Sequence, residues 1–236
     1  MTAGLSVVVP ARNEAERLAE THAALRRSLG GNTEIVLVLD ATSEDGTVEV
    51  GTRIAELDER VKVEVVDSPG KGGAVAAGVR AASGEIVVLA DADLAVDPAQ
   101  YGPLIEHAAE GALAAGSRSV RGSVRIGEPP LRYLAGRLFN LAVRWLILPG
   151  LRDSQCGFKA FRRETFLPVF EGLGAQGWCF DVELLAAARR MGVPVVEVPV
   201  RWRYGHGSKL SVMRDAPRVV RELAALRRRF GRVVVP

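Results

Sequence analysis

Long apolar runs are scarce in this 236-residue sequence. No stretch approaches the roughly 20 uninterrupted apolar residues that span a bilayer. The nearest, LFNLAVRWLILPGL at 138–151, is broken by Arg144 and Pro149. The start, MTAGLSVVVPARNE, has no basic leader before its apolar run and passes straight into a strand pattern, so no signal peptide is expected. Cysteine is equally sparse. Cys156 and Cys179 cannot build a disulfide framework, which makes a reducing, cytoplasmic setting the default. The three histidines, His22, His107 and His206, lie too far apart in sequence to suggest a zinc site. Two phosphate-binding signatures are missing as well. The glycine cluster GKGGAVAAG at 70–78 has neither the G-x-G-x-x-G spacing of a dinucleotide fold nor the G-x-x-x-x-G-K-[ST] of a P-loop, which disfavours a dinucleotide oxidoreductase. The net charge of +3 excludes a polyelectrolyte, and the basic helices lack interleaved aromatics for stacking on bases, so no nucleic acid partner is expected.

What is present favours a folded α/β chain. Apolar residues make up 48% and charged ones 25%, enough for a core and too little charge for disorder. The runs 5–10, 33–40, 61–66, 85–90 and 111–118 read as strands; the stretches 14–28, 46–57, 74–82 and 98–109 carry helical spacing. Continuously apolar strands alternating with helices imply a mainly parallel sheet covered on both faces. Ligands of such sheets bind at the carboxyl ends of the strands, where this chain places PARNE, DATSEDGT, DSPGKGG and DADL. The later half reads as a polar loop at 119–129, an amphipathic helix at 130–148, a helix near 180–191, a strand at 193–202 and a basic helix at 211–230. No linker divides the chain, so the expectation is one domain, with a nucleotide half at 1–118 and an acceptor half at 119–236.

The pair Asp91 and Asp93 ends an apolar strand with two carboxylates one residue apart. Two carboxylates at i, i+2 in an extended turn can reach one cation from the same side, and Mg²⁺ or Mn²⁺ would accept their oxygens while bridging to a diphosphate. A solvated strand-end turn is the bland reading of the pair alone; its place beside three other polar strand-end loops favours the metal.

Taken together, SVVVPARNEAERL, DATSEDGT, GKGGAVAAG, ADADL and DSQCGFKAFRR resemble the successive motifs of family 2 glycosyltransferases. WCFDVELL and VPVRWRYGHGSKLSVMRD narrow the likeness to the dolichyl- and polyprenyl-phosphate sugar synthases, nearest to the glucose-transferring branch. The resemblance runs from about residue 5 to 225. It implies a GT-A type, Rossmann-like sandwich with a central mixed, mostly parallel sheet flanked by helices.

The resemblance also assigns roles. Pro10, Ala11, Arg12 and Glu14 match the nucleoside-contacting loop, although a first-turn acid such as Glu14 also suits a helix dipole. Asp40 matches an acid that recognises base or ribose, and Ala41 stands where the family commonly has a second acid. Asp45 and Gly46 shape a turn and cap the next helix. Gly70, Lys71 and Gly72 match a loop that approaches the nucleotide; a plain helix entry is the alternative. Asp91 and Asp93 contact ribose, metal and diphosphate, with Asp93 as the more direct metal ligand.

A lipid-phosphate acceptor is already anionic at neutral pH, since a phosphate monoester's second pKa lies near 6. It needs cations more than a general base, whereas a sugar hydroxyl needs a positioned carboxylate. Arg118, Arg132, Arg203 and Lys209 fall where the resembling synthases bind phosphates, with solvated surface cations as the alternative. Asp181 and Glu183, one residue apart at a helix start, offer an acid that orients the sugar or an arginine; Glu183 matches the typical position and Asp181 keeps a minor option as base. Asp153 and Gln155 are expected to line the sugar pocket. Cys156 and Cys179 read as packing residues. The implied donor is a nucleotide sugar, UDP-glucose first, and the acceptor a polyprenyl phosphate, with a glycan hydroxyl, a small phosphorylated acceptor or a silent nucleotide-sugar-binding partner protein as rivals. Two basic amphipathic stretches, 131–148 and the C-terminal helix, suit a peripheral position at the cytoplasmic face of a membrane. A membrane partner protein or a homodimer remains open.

Overall fold

The uninterrupted apolar runs of the first half become strands buried on both faces. In a computed structural model, which describes residues 4–67, 70–172, 174, 177, 179–205 and 212–233 (the side chains of 212–216 excepted), they are β1 (Leu5–Ala11), β2 (Glu34–Asp40), β3 (Val61–Val66) and β4 (Ile86–Leu89). Between them run α1 (Ala15–Leu29), α2 (Thr47–Leu57) and α3 (Gly70–Ala81). A 3₁₀ turn at Pro98–Gln100, α4 (Gly102–Ala109) and β5 (Leu113–Ser117) complete this half. The rest comprises β6 (Val124–Ile126), α5 (Pro130–Leu146), β7 (Lys159–Arg162), α6 (Arg163–Glu171), α7 (Phe180–Arg190), β8 (Val195–Pro199), β9 (Arg201–Arg203) and α8 (Val212–Phe230).

The main sheet has the order β3-β2-β1-β4-β7-β5-β8. All its pairings are parallel except those of β7, which lies antiparallel to both β4 and β5. Helices cover both faces, so Val8, Val36 and Val87 belong to one core and Val7, Ile35 and Val88 to the other. Contact is closest under α3. A Cβ on Gly78 would lie 2.3 Å from Val8 Cγ1 and 2.8 Å from Val38 Cγ2, so only glycine lets this helix seat on β1 and β2.

Four features depart from the sequence pattern. The glycine cluster at 70–73 is the first turn of α3 rather than a loop. The stretch 193–202 divides after Pro199: β8 ends there, and β9 pairs with β6 in a separate two-stranded ribbon. Proline donates no hydrogen bond, which suits the point where the chain leaves one sheet for another. The polar loop expected at 119–129 contains β6, and 159–171 forms a strand and a helix that the apolar pattern did not announce.

This topology places the carboxyl ends of β1, β2 and β4 along one edge. Asp45 joins the helices that follow: its Oδ2 accepts from Ala15 N at 3.0 Å and its Oδ1 from Thr47 N at 3.1 Å. Its expected turn-shaping role is met by bridging α1 to α2, with Gly46 beside it at φ 83°.

Candidate active site

Along that edge opens a cleft of about 460 Å³. Of the sequence-derived candidates, Pro10, Ala11, Arg12, Glu14, Asp40, Gly70, Lys71, Asp91, Asp93, Arg118, Arg132 and Gln155 line it. The floor is built from strand ends. Asp40, buried at the end of β2, accepts from Thr42 N at 2.9 Å and Thr42 Oγ1 at 2.7 Å, and Arg12 Nε lies 3.7 Å from its other oxygen. Glu14 accepts from Arg17 Nη1 at 2.6 Å, and its own N–H donates to Thr47 Oγ1. Asn13, at φ 52°, accepts from Glu44 N at 2.8 Å, so the β1–α1 and β2–α2 loops brace one another.

The two aspartates of the DAD turn face different partners. Lys71 Nζ lies 2.6 Å from Asp91 Oδ1. Burial alone would raise the Asp91 carboxyl, but Lys71 and then Lys159 hold it below the usual range. Burial likewise opposes the Lys71 charge, and Asp91 and Asp181 outweigh it, so its ammonium is held charged. Among the described residues Asp93 forms no such ion pair, and Lys71 offsets its charge only in part. Solvent reaches it from the cleft, yet the protein packed around it, and then the charge of Asp91, push its pKa up. One oxygen accepts from Ala95 N at 3.0 Å. Leu94 sits at φ 50°, a costly conformation for a branched side chain, and the turn is pinned by the Thr21 hydroxyl donating to Ala92 O at 2.7 Å.

These donors fit a divalent cation. Asp93 is a carboxylate with no ion pair among the described residues, beside a second, ionised carboxylate. Among the described residues no third His, Cys, Asp or Glu joins them. Mg²⁺ and Mn²⁺ sites built from one or two carboxylates, waters and substrate phosphates need none.

The opposite wall is built by Arg118, which directly follows β5, and by residues of the second half. Arg118 is fixed by Asp153, which accepts from its Nε at 2.7 Å, its Nη2 at 2.9 Å and its backbone N at 2.9 Å. Burial raises the Asp153 carboxyl, but Arg118 outweighs it and brings the pKa down to about 2. Arg118 also lies 5.3 Å from the centre of the Trp202 ring, and Arg132 lies 5.2 Å from that of Tyr204. Arg218 of α8 reaches the cleft while bound to Glu222 at 3.0 Å.

Five candidates lie elsewhere. Asp153 is wholly buried behind Arg118 and is not a pocket wall. Asp181 is buried against Lys159, itself fully buried and donating to Cys156 O at 2.6 Å. Glu183 is buried in an ion pair with Arg229 and accepts from Gly174 N at 3.0 Å. A base or sugar-orienting role in the cleft is therefore not what either acid does here. Gly72 is buried inside α3. Arg203 is exposed on β9, outside the cleft lining, although its N–H donates to Ala95 O at 2.8 Å. Lys209 and His206 lie outside the described residues. Cys156 lines the cleft as a buried thiol pushed up to about 11 by burial, consistent with packing.

Trp202, Tyr204, Lys159, Gly157 and Arg218 were not singled out from sequence. The aromatics flanking arginine in VRWRY were the available signal for the first two. Gly157 and Lys159 follow Gln155 within the same motif, and only the fold shows that Gly157 abuts Asp91.

Residues 6–170 match the model of the family described as glycosyl transferase family 2. The human dolichyl-phosphate beta-glucosyltransferase is 35% identical over 231 residues, covering 89% of this chain and 70% of that protein. Glycosyltransferase AglD of Haloferax volcanii is 34% identical over 217 residues, with 89% of this chain but 35% of that protein covered. A Trichomonas vaginalis dolichyl-phosphate beta-glucosyltransferase, 33% identical, is covered to 65%. The chain thus spans about a third to two thirds of these last two relatives. Among solved structures, glucosyl-3-phosphoglycerate synthase from Mycobacterium tuberculosis, in complex with Mn²⁺, UDP and glucosyl-3-phosphoglycerate, superposes with a TM-score of 0.68 at 21% identity, over 98% of this chain and 81% of that one. At that identity the likeness is one of fold, and the expected GT-A layout, a mixed and mostly parallel sheet flanked by helices, is borne out.

Proposed function

Because the chain belongs to glycosyl transferase family 2, we propose that it moves a hexose, glucose from UDP-glucose first, onto a polyprenyl or dolichyl phosphate with inversion at the anomeric carbon. One observation carries this reading: the cleft is divided by charge. Its acids, Glu14, Asp40, Asp91 and Asp93, lie at the ends of β1, β2 and β4, where Arg12 and Lys71 pair with two of them, while the facing wall of Arg118, just past β5, with Arg132 and Arg218 brings cations and no acid to the lining. Relatives named dolichyl-phosphate beta-glucosyltransferase support the acceptor. A solved fold neighbour in complex with Mn²⁺ and UDP-glucose supports the donor and metal.

On this reading Asp40 and Arg12 hold the nucleoside at the ends of β1 and β2, and Glu14 lies beside them. Asp91, kept ionised by Lys71, orients the ribose side of the donor. Asp93, with one oxygen committed to Ala95, turns its remaining charge toward the diphosphate. A bound Mg²⁺ or Mn²⁺ would supply neutralisation of the charge that develops on the leaving diphosphate. Arg132 receives the acceptor phosphate, and Arg118, locked in orientation by Asp153, offers its remaining face. An acceptor oxygen forms the new bond to the anomeric carbon as the bond to the diphosphate breaks, and the nucleoside diphosphate leaves with that electron pair. The acceptor side of the described cleft presents no carboxylate, since Asp153, Asp181 and Glu183 are each buried in an ion pair. A hydroxyl acceptor would therefore lack a base, whereas a phosphate arrives ionised. Lys209, six residues beyond Arg203, stays a candidate for the same anions. The acceptor's home in a bilayer places the protein at a membrane face, which we assign as cytoplasmic and peripheral; no described helix is long and apolar enough to cross a membrane.

The test is transfer from UDP-glucose to a short-chain polyprenyl phosphate with Mn²⁺ or Mg²⁺. The wild type forms the lipid-linked glucosyl phosphate, and Asp93→Asn loses about 10³-fold or more in kcat. Wild-type rates in Asp93→Asn, or a preference for a sugar hydroxyl or a small phosphorylated acid, would overturn the reading.

A further inference from the structure

The two basic amphipathic helices do not have the same standing in the fold. α8 spends its apolar side on the protein: Leu223 and Leu226 are buried in the core against α7 and α5. α5 does not. Leu131, Leu134, Leu138, Leu141 and Trp145, spaced three and four apart, all lie on the outside, and the two ends, Leu131 and Trp145, are 78% and 75% exposed. The opposite side of the same helix packs inward through Asn140 and Val143.

Beside this stripe is a groove of about 750 Å³ between α5 and the 118–125 segment. Leu134, Leu138 and Leu141 form its lip, and Arg137, Arg144 and Arg152 project charge into it. No acidic residue lines it. Its other arginines, Arg118 and Arg125, are matched by Asp153 and Glu128. Among the described residues the Arg137 guanidinium, by contrast, meets the Tyr133 hydroxyl and ring and no carboxylate, and the guanidiniums of Arg144 and Arg152 have no carboxylate partner, although the backbone N–H of Arg152 donates to Glu197. Three uncompensated guanidiniums beside an exposed apolar stripe match one ligand chemistry, a phosphate headgroup attached to hydrocarbon.

We propose that this groove and stripe form a docking site for anionic phospholipids of a bilayer, with Arg137, Arg144 and Arg152 on the headgroup phosphates and Leu134, Leu138, Leu141 and Trp145 among the acyl chains. The proposal deepens the membrane part of the functional reading, and α5 rather than α8 is the helix that enters the lipid. A second copy of the chain is the less suitable occupant: a two-fold interface sets the patch against itself, where rows of arginines would meet without an acid between them. Arg118 lines both this groove and the catalytic cleft. The docked face therefore adjoins the wall that receives the acceptor phosphate.

The experiment is co-sedimentation of the full chain with vesicles of pure phosphatidylcholine, or of phosphatidylcholine and phosphatidylglycerol in equal parts, without donor or acceptor. Binding is expected to the mixed vesicles only. Each arginine near an anionic surface contributes about fivefold, so Arg137→Gln with Arg144→Gln weakens partitioning about thirtyfold. Leu138→Ser with Trp145→Ser abolishes it, and the blue shift of tryptophan emission on vesicle addition is lost in Trp145→Phe. Thermal stabilisation by UDP-glucose stays at its wild-type value in the Arg137/Arg144 variant, which confirms folding and separates this site from the cleft. Equal binding to both vesicle types, unchanged partitioning of the arginine variant, or loss on α8 changes such as Arg221→Gln with Arg228→Gln instead, overturns the proposal. So does a dimer in sedimentation velocity that Trp145→Ser dissociates, or saturable uptake of inorganic phosphate by Arg137 and Arg144 without vesicle binding. Vesicle binding without any glucosyl transfer would leave docking intact and refute the functional reading alone.

Discussion

Gly157 is the residue on which the acidic turn is most sensitive to a single methyl group. It follows Cys156 at the cleft wall, and a Cβ built there would lie 2.6 Å from Asp91 Oδ2 and 2.9 Å from Lys71 Nζ. Both contacts fall about 0.6–0.9 Å inside an ordinary van der Waals separation of about 3.5 Å. Gly157→Ala must therefore displace the Lys71–Asp91 pair, now 2.6 Å apart. The cost to the fold is small. Inserting a methyl into a packed site costs about 1–3 kcal/mol, and loss of glycine's unfolded-state freedom offsets about 0.4–1 kcal/mol; both displaced atoms are side-chain ends that can yield toward the cleft. The cost to catalysis is larger, because a misplacement on the order of 1 Å in a positioning group lowers the rate about 10²-fold.

The assay is kcat/KM for donor with the acceptor saturating, alongside thermal unfolding. The expectation is a loss of about 10²-fold with an unfolding midpoint lowered by only a few degrees. Lys71→Met removes the same pair from the other side, so the double variant should be scarcely worse than either single one. Wild-type kcat/KM in Gly157→Ala, or fully additive losses in the double variant, would refute the claim that Gly157 acts through Lys71 and Asp91.

Two further expectations concern the buried charges. Asp153 is wholly buried and its pKa falls from 3.8 to about 2 on folding, so it contributes about 2 kcal/mol of stability above the unfolded pKa. That contribution is lost as pH drops from about 4 toward 2, and acid titration by circular dichroism should show a shallower slope there for Asp153→Asn, which is also destabilised at pH 7 because Arg118 loses its counter-charge. Lys159→Met strands the buried Asp181 carboxylate and should cost about 3–5 kcal/mol in urea unfolding, whereas Lys159→Met with Asp181→Leu recovers most of it; equal losses in the single and double variants would contradict the pairing.

The legible parts of this chain were those written in local pattern. β1, β2 and β4 announce themselves as continuous apolar runs because both their faces are covered. The cleft position followed from the same reading, since the polar motifs sit at strand ends. β7 was not legible. It has four residues, Lys159–Arg162, of which the first and last carry a positive charge, and nothing local says that it inserts antiparallel between β4 and β5. Burial of a lysine is equally non-local: Lys159 is inside only because Asp181, 22 residues on, meets it there. The same holds for Asp153, whose expected place in the sugar pocket gave way to a bidentate clasp on Arg118, 35 residues before it. Motif membership told which residues gather near the site, and pairing told which of them face the cleft.

That distinction bears on how the site is assembled. Lys71, Asp91, Lys159 and Asp181 alternate in charge from the cleft inward, and the outermost acid, Asp91, is held ionised by the lysines on either side of it. Arg118 and Asp153 repeat the device on the opposite wall. Each wall thus presents one group held in an ion pair and one that forms no ion pair among the described residues: Asp91 and Asp93 on one side, Arg118 and Arg132, which meets only the Tyr204 ring, on the other. A charge already paired within the protein is stiff and costs little to keep in place, so it can orient a ligand without gaining much from it. A charge without a partner gains most when a ligand of opposite sign arrives. On the proposed reading, Asp93 and Arg132 are where the binding energies of a cation-bound diphosphate and of an acceptor phosphate would be concentrated, and the two anions would be drawn to opposite sides of a single reacting carbon.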